Sequence, residues 1–261
     1  MSAKDKLRKF RENESFGCLY QPATEELLWR DYKLKGHWGE QVFKNSNPIV
    51  IELGCGRGEY TIALSKMFRE INFIGIDIKG ARLWKGARTA HTEQLPNVAF
   101  IRTRIEFIES LFAKDEISQI WITFPDPQIK RAKKRLTGSL FLKRYFSLLK
   151  GDGVVNLKTD SRFLHEYTLA LVRENNLSLI EANNDIYGSG RADSILSIKT
   201  FYEEHYLEQG FPIAYTAFKI DKGEIVEPEW DERYWKKEEG ERKGMRGNFS
   251  GCGERDNLQS L

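Results

Sequence analysis

Residues 48–60, PIVIELGCGRGEY, constrain this chain more than any other stretch. Pro48, Ile49, Val50 and Ile51 suit a strand buried on both faces, glycines follow at 54, 56 and 58, and a segment of helical spacing comes next. Glycines at those places let the backbone turn sharply under a ligand before a helix starts. An ordinary tight turn could use the same glycines, and Glu52 and Asp77 set this loop apart. A carboxylate at the end of the strand repels a pyrophosphate but attracts the ammonium and sulfonium of S-adenosylmethionine. The glycine spacing also departs from the dinucleotide pattern G-x-G-x-x-G.

Asp77 ends a second strand, INFIGID (71–77), about twenty residues past the loop, where a carboxylate can take both ribose hydroxyls of a nucleotide in a doubly wound sheet. Further strands are read at 97–102, 118–124, 153–157, 177–183 and 213–220, with helical segments between most of them. Strand and helix alternate, so the class is α/β with a mainly parallel sheet. Three regions follow: an N-terminal arm and covering helix (1–47), a main domain (48–220), and an acidic extension (221–261) read as disordered from its glycine and low apolar content. Cys18, Cys55 and Cys252 lack metal-ligand spacing, which predicts reduced thiols and no metal. Cys55 inside the loop reads as a small side chain that fits beneath a ligand, with no histidine nearby to make it a nucleophile. With no bilayer-length apolar run and no signal peptide, the expectation is a soluble, cytoplasmic protein without a membrane partner.

Charge is divided unevenly. Residues 1–220 carry thirty-three Lys/Arg against twenty-seven Asp/Glu, whereas 221–261 carry eight against eleven. A basic front suits a polyanion such as RNA. Lys4, Lys6, Arg8, Lys9 and Arg11 could touch phosphate, or could mark a solvated terminus. The densest run follows FPDPQIK, where two prolines fix Asp126 at the carboxyl edge of the sheet and residues 130–144 hold seven cations and no acid. Asp160, in NLKTD, ends the fifth strand on the same edge. Its carboxylate can accept from the N–H groups on the Watson–Crick edge of guanine, or it can cap the helix that starts at Ser161.

FPDPQIK with its basic run, NLKTD (156–160) and TFYEE (200–204), behind an E-x-G-x-G-x-G loop, resemble the tRNA (guanine-N7-)-methyltransferases of the bacterial TrmB type. The resemblance covers about residues 48–220. It implies the Rossmann-like class I methyltransferase fold: a mainly parallel seven-stranded sheet with helices on both faces and an antiparallel last strand. It implies methylation of guanine 46 in the tRNA variable loop with S-adenosylmethionine as donor, by a monomer or homodimer. Glu52, Gly54, Gly56, Gly58, Asp77 and Asp126 would then contact the cofactor, with Asp126 also catalytic. Lys130, Asp160, Thr200, Phe201, Tyr202 and Glu203 would contact the RNA, Glu203 sharing the guanine edge with Asp160. Two positions depart from the family pattern. Gln128 stands where a tryptophan is usual, and Arg104, followed by Ile105, stands where an acid usually faces the adenine; backbone groups at 104 and the Ile105 side chain would take that place.

Two other classes fit a glycine loop beside a basic run. One is a methyltransferase of the same fold acting on a protein or small molecule, which the tRNA-type motifs disfavour. The other is an RNA-binding protein without catalysis.

Overall fold

The computed structural model describes residues 3–238. Eight strands form one sheet: β1 (Leu19–Tyr20), β2 (Ile49–Leu53), β3 (Asn72–Asp77), β4 (Val98–Arg102), β5 (Ile117–Thr123), β6 (Leu149–Thr159), β7 (Leu179–Asn183) and β8 (Ala214–Lys219). Their spatial order is β1-β4-β3-β2-β5-β6-β8-β7. The neighbours from β1 to β6 pair in parallel, and β8 runs antiparallel to both β6 and β7. Seven strands with an antiparallel last one are as the sequence predicts. The eighth, β1, extends the edge beyond β4, and two residues are too few to carry a readable alternation.

Alternation within the strands sets the layers. Ile49, Ile51 and Leu53 of β2, Ile74 and Ile76 of β3, and Ile120 and Ile122 of β5 all belong to one core cluster. Val50, Phe73 and Trp121, the residues between them, belong to another. That is the period-two pattern of strands covered on both faces. The first face is covered by α6 (Ser139–Leu148) and α7 (Arg162–Glu174), and by Trp38, whose indole N–H donates to the Leu111 carbonyl at 2.9 Å. The second face is covered by α3 (Glu59–Met67) and α4 (Gly80–Thr92). The N-terminal helix α1 (Ala3–Asn13) lies on α4, where the Asn13 amide donates to the Gly80 carbonyl at 2.9 Å. No helix among the described residues is long and apolar enough to cross a membrane.

One ring organises the packing under the glycine loop. A Cβ placed on Gly58, Gly75 or Gly86 would come within 2.6, 2.8 or 2.7 Å of the Phe100 side chain. Glycine at these positions lets α3, β3 and α4 close on that ring.

The 221–261 extension needs correction as far as the structure describes it. Ile225 and Trp235 are buried in the main core, with Trp230 packed against it. The two indoles stack at 5.7 Å with their edges toward Phe163, and Asn175 makes paired hydrogen bonds with the backbone of Val226. Average composition concealed three large apolar side chains spaced to strap α7. Residues 239–261 lie outside the described residues. Replacing Trp235 by alanine should therefore cost about 3 kcal/mol and lower the melting temperature by roughly 6–12 °C. An unshifted thermal melt would show the strap to be dispensable.

Candidate active site

Gly54, Gly56 and Gly58 all lie in the left-handed region, with φ of 75°, 56° and 71°. The loop folds back on β3, where the Ile76 carbonyl accepts from the N–H groups of Gly54 and Cys55 at 2.8 and 3.1 Å. Asp77 anchors it further. Its carboxylate accepts from the Gly56 N–H at 3.0 Å and the Lys79 N–H at 2.7 Å, and burial raises its pKa. Cys55 is buried against the core, and burial pushes its thiol well above the ordinary value, so it is packing and no nucleophile.

Glu52 lies beneath the loop, only 3% exposed. One carboxylate oxygen accepts from the Thr61 N–H at 2.9 Å and from the Thr61 hydroxyl, and the other from the Thr123 hydroxyl at 2.6 Å. Burial pushes its pKa up to about 7, and no Lys or Arg pairs with it among the described residues. Its carboxylate is thus turned to Thr61 and Thr123 beneath the loop, whereas the sequence suggests direct contact with a ligand.

The Pro-Asp-Pro turn is bracketed by two non-glycine residues at positive φ, Phe124 and Gln128, both at 48°. Such conformations cost on the order of 1–3 kcal/mol each and gather at functional sites. Asp126 sits exposed between them, one oxygen accepting from the Gln128 N–H at 3.0 Å. The turn is tied to β6 by the Phe124 N–H and the Lys158 carbonyl at 2.8 Å. Asp160 lies largely buried at the end of β6. Ser161, not Asp160, caps α7, its hydroxyl accepting from the Leu164 N–H at 3.2 Å.

TFYEE opens α8 (Phe201–Glu208), which Thr200 caps in a reciprocal capping box with Glu203. Its first turn docks on the glycine loop. The Phe201 N–H donates to Glu59 at 2.9 Å, the Arg57 guanidinium stacks 4.1 Å over the Phe201 ring, and that of Arg82 lies 5.6 Å over Tyr202. Both rings keep much of their surface open, 47% and 38% exposed.

Glu203 is not presented to a substrate. It is fully buried in an ion pair with the equally buried Lys158 at 2.7 Å, and it also accepts from the Tyr187 hydroxyl at 2.7 Å. The Lys158 ammonium donates as well to the carbonyls of Leu196 and Ile198 at 2.6 and 2.9 Å, so one side chain pins the 196–203 segment to β6. Burial lowers the Lys158 pKa, and Glu203 opposes that. In the sequence Lys158 reads as a strand end, and its apolar neighbours Leu157 and Val155 are the local sign of depth.

The basic run also needs trimming. Arg135 is buried, its guanidinium 4.8 and 4.5 Å from the rings of Phe163 and Tyr167 and bonded to the carbonyls of Gln128 and Ile129, and Arg144 pairs with Glu109 at 3.2 Å. Lys130, Arg131, Lys133, Lys134 and Lys143 remain exposed. Arg104, two residues past β4, is exposed and paired with Glu106 at 3.1 Å, and Ile105 packs on the core.

These positions share one edge. Leu53 pairs with Ile76 and Ile122, Asp77 with Arg102, and Thr123 with Lys158. The segments that follow each strand therefore stand in the row Arg104, Asp77, glycine loop, Asp126, Asp160, at strand spacings of about 4.8 Å. Ligands of open α/β sheets bind at this edge.

A family model described as a putative methyltransferase matches residues 46–215. A tRNA (guanine-N(7)-)-methyltransferase of Christiangramia forsetii is 55% identical over 223 residues, 84% of this chain and 100% of the relative. Proteins of the same name from Porphyromonas gingivalis (53% identical; 79% and 86% covered) and Bacteroides fragilis (45%; 87% and 90%) match similarly. This chain belongs to the tRNA (guanine-N7-)-methyltransferase family. Among solved structures, the 16S rRNA methyltransferase KamB superposes with a TM-score of 0.54 at 12% identity, covering 72% of this chain and 92% of its own. An antibiotic-related methyltransferase gives 0.52 at 15% identity, covering 68% and 89%. At such identities the likeness concerns the class I methyltransferase fold alone.

Within this family member, Lys158→Met should destabilise by about 3–5 kcal/mol, because Glu203 is left charged and unpaired in the core. Adding Glu203→Gln should recover part of that loss in urea unfolding. Additive losses would show that the two charges are not coupled.

Proposed function

We propose that this chain methylates N7 of guanine in tRNA, at position 46 of the variable loop, with S-adenosylmethionine as donor. The observation that carries the reading is a buried, cation-free carboxylate beneath a left-handed glycine loop, on the same sheet edge as Asp126 and Asp160. A site with excess buried negative charge suits a cationic ligand and penalises a pyrophosphate. The names carried by the relatives from Christiangramia forsetii and Porphyromonas gingivalis agree.

When bound, S-adenosylmethionine supplies an electrophilic methyl group on a sulfonium. Gly54 and Gly56, with open space where a Cβ would stand, leave room for it, while Gly58 closes the loop on Phe100; Asp77 would take its ribose hydroxyls, Glu52 would stabilise its positive charge from below, and residues 104 and 105 would border its adenine. Guanine N7 has a lone pair and no hydrogen, so the transfer needs no base. The chain's task is alignment and stabilisation of the cationic purine that forms. Asp126, held between Pro125 and Pro127 with one oxygen fixed by the Gln128 N–H, would supply that stabilisation. Phe201 and Tyr202 offer the aromatic surface that Gln128 lacks, backed by Arg57 and Arg82, and base stacking on such rings is worth about 1–3 kcal/mol. Asp160 would accept from the guanine Watson–Crick edge, and Lys130 and its exposed neighbours would hold phosphate. Thr200 would act on the substrate side as the cap that orients Phe201 and Tyr202.

Asp126→Ala should lose most methyl transfer, on the order of a hundredfold or more, while keeping the melting temperature. Mapping the modified nucleotide in tRNA incubated with the wild-type chain tests the reading itself; a methyl group anywhere but guanine N7 would overturn it.

Glu52 makes the cofactor affinity depend on pH. Its raised pKa keeps it partly protonated near neutrality, and a bound cation favours the ionised form, so binding releases a proton. Affinity for S-adenosylmethionine should therefore rise with pH up to about 7 and level off above it. Calorimetric titration from pH 6 to 8 checks this, with Glu52→Gln expected to give a flat, weaker profile.

A further inference from the structure

The residue exposures and ion pairs leave a second cationic surface that the proposed site does not use. Residues 3–13 and 79–92 hold nine Lys/Arg against two Asp/Glu, in a chain whose net charge is only +3. Lys4, Arg8 and Arg11 are exposed and lie at helical spacing on the outer side of α1. Arg82, Lys85 and Arg88 make a second stripe on α4. Between the stripes, Arg8, Lys9 and Arg88 converge on Trp84 at 5.1, 4.9 and 5.0 Å from its ring. Asp5 and Glu12 neutralise part of this charge through Arg8 and Lys9. Lys85 pairs with Glu59 at 2.8 Å, whereas Lys4, Arg11, Arg82 and Arg88 form no close ion pair among the described residues, although Arg82 and Arg88 act at longer range on Asp77 and Glu12.

This ridge begins at the rim of the active site. Arg82 lies over Tyr202, and α4 starts three residues after Asp77. From Arg82 to Arg88 the stripe runs about 9 Å along the helix axis, away from the reacting edge. Like charges gathered at that density repel one another unless a polyanion neutralises them, and cations spread along a ridge, with the Trp84 N–H already donated to Glu12, match a phosphate backbone rather than bases.

Resting on the reading of this chain as a tRNA methyltransferase, we infer that the α1–α4 ridge is a second docking surface for tRNA. It would hold the phosphate backbone of the tRNA body outside the methylated loop, while the exposed cations after Asp126 hold the loop itself. Recognition would then require the folded tRNA in addition to the target guanine.

The test compares wild type with the Arg11→Glu, Arg88→Glu double variant, in the full chain, by filter binding of intact tRNA and of a short RNA hairpin bearing only the variable-loop sequence. The variant should bind tRNA about tenfold more weakly, with the slope of log affinity against log salt reduced by about two, and should bind the hairpin as wild type does. Unchanged binding of S-adenosylmethionine would show that the fold is intact. Equal losses for tRNA and hairpin would overturn the inference, as would unchanged tRNA affinity. Binding is read without methyl transfer, so loss of the ridge contact is separable from failure of the proposed activity, which the nucleotide mapping reads.

Discussion

The site depends first on one buried carboxylate. Glu52, the residue before the last of β2, is bonded at once to the first turn of α3 through Thr61 and to the end of β5 through Thr123. Desolvation opposes its ionised form, as the rise to about 7 shows, and its hydrogen bonds offset only part of that cost. A hydrophobic residue there would pack more cheaply. What the acid contributes is a fixed relation between two strands and a helix, across which three glycines can be held in left-handed conformations. Asp77 does the same from β3, by taking the N–H groups of Gly56 and Lys79.

Lys158 and Glu203 do for the other half of the edge what Glu52 does for the first. The pair is fully buried, and the ammonium hydrogens are also spent on two backbone carbonyls. A buried ion pair gives little net stability against an apolar alternative, so its role lies in specifying geometry. Here it fixes where the first turn of α8 meets the glycine loop, and so where Phe201 and Tyr202 stand. Between these two tied halves Asp126 is left exposed, positioned by a strained turn that one backbone bond ties to β6.

The β2–loop–α3 unit, Asp77 at the end of β3 and the alternation of strand and helix are legible in the sequence because each rests on neighbours within a few residues. Apolar runs declare strands, and glycines with positive φ follow from a loop that must turn at once. The features that escaped depend on partners far along the chain. Glu203 looks like a surface helical acid until Lys158, 45 residues away, is found beneath it. Arg135 counts as one more cation in a basic run until Phe163 and Tyr167 close over it. Trp230 and Trp235 are diluted by the polar residues around them, and average composition cannot show that both reach one aromatic ring. Asp160 lost its capping role to the next residue, a distinction only backbone geometry makes.

Charge in this chain works in two regimes. Glu52, Asp77 and Asp160 at the mouth of the sheet are buried, so their fields are only weakly screened and reach a small cation at close range. The cations of α1, α4 and the segment after Asp126 are mostly solvated, so each is worth little alone and salt weakens it. A polyanion that touches many of them at once sums those small terms, through release of its own counterions. The same arrangement limits how far the two signs cancel: Glu52 is roofed by the glycine loop with no cation paired to it among the described residues, and the flanking Arg57 and Arg82 lie over aromatic rings, Arg82 reaching Asp77 only at longer range. An edge that is negative inside and positive around its rim can therefore hold a cationic donor and an anionic nucleic acid side by side.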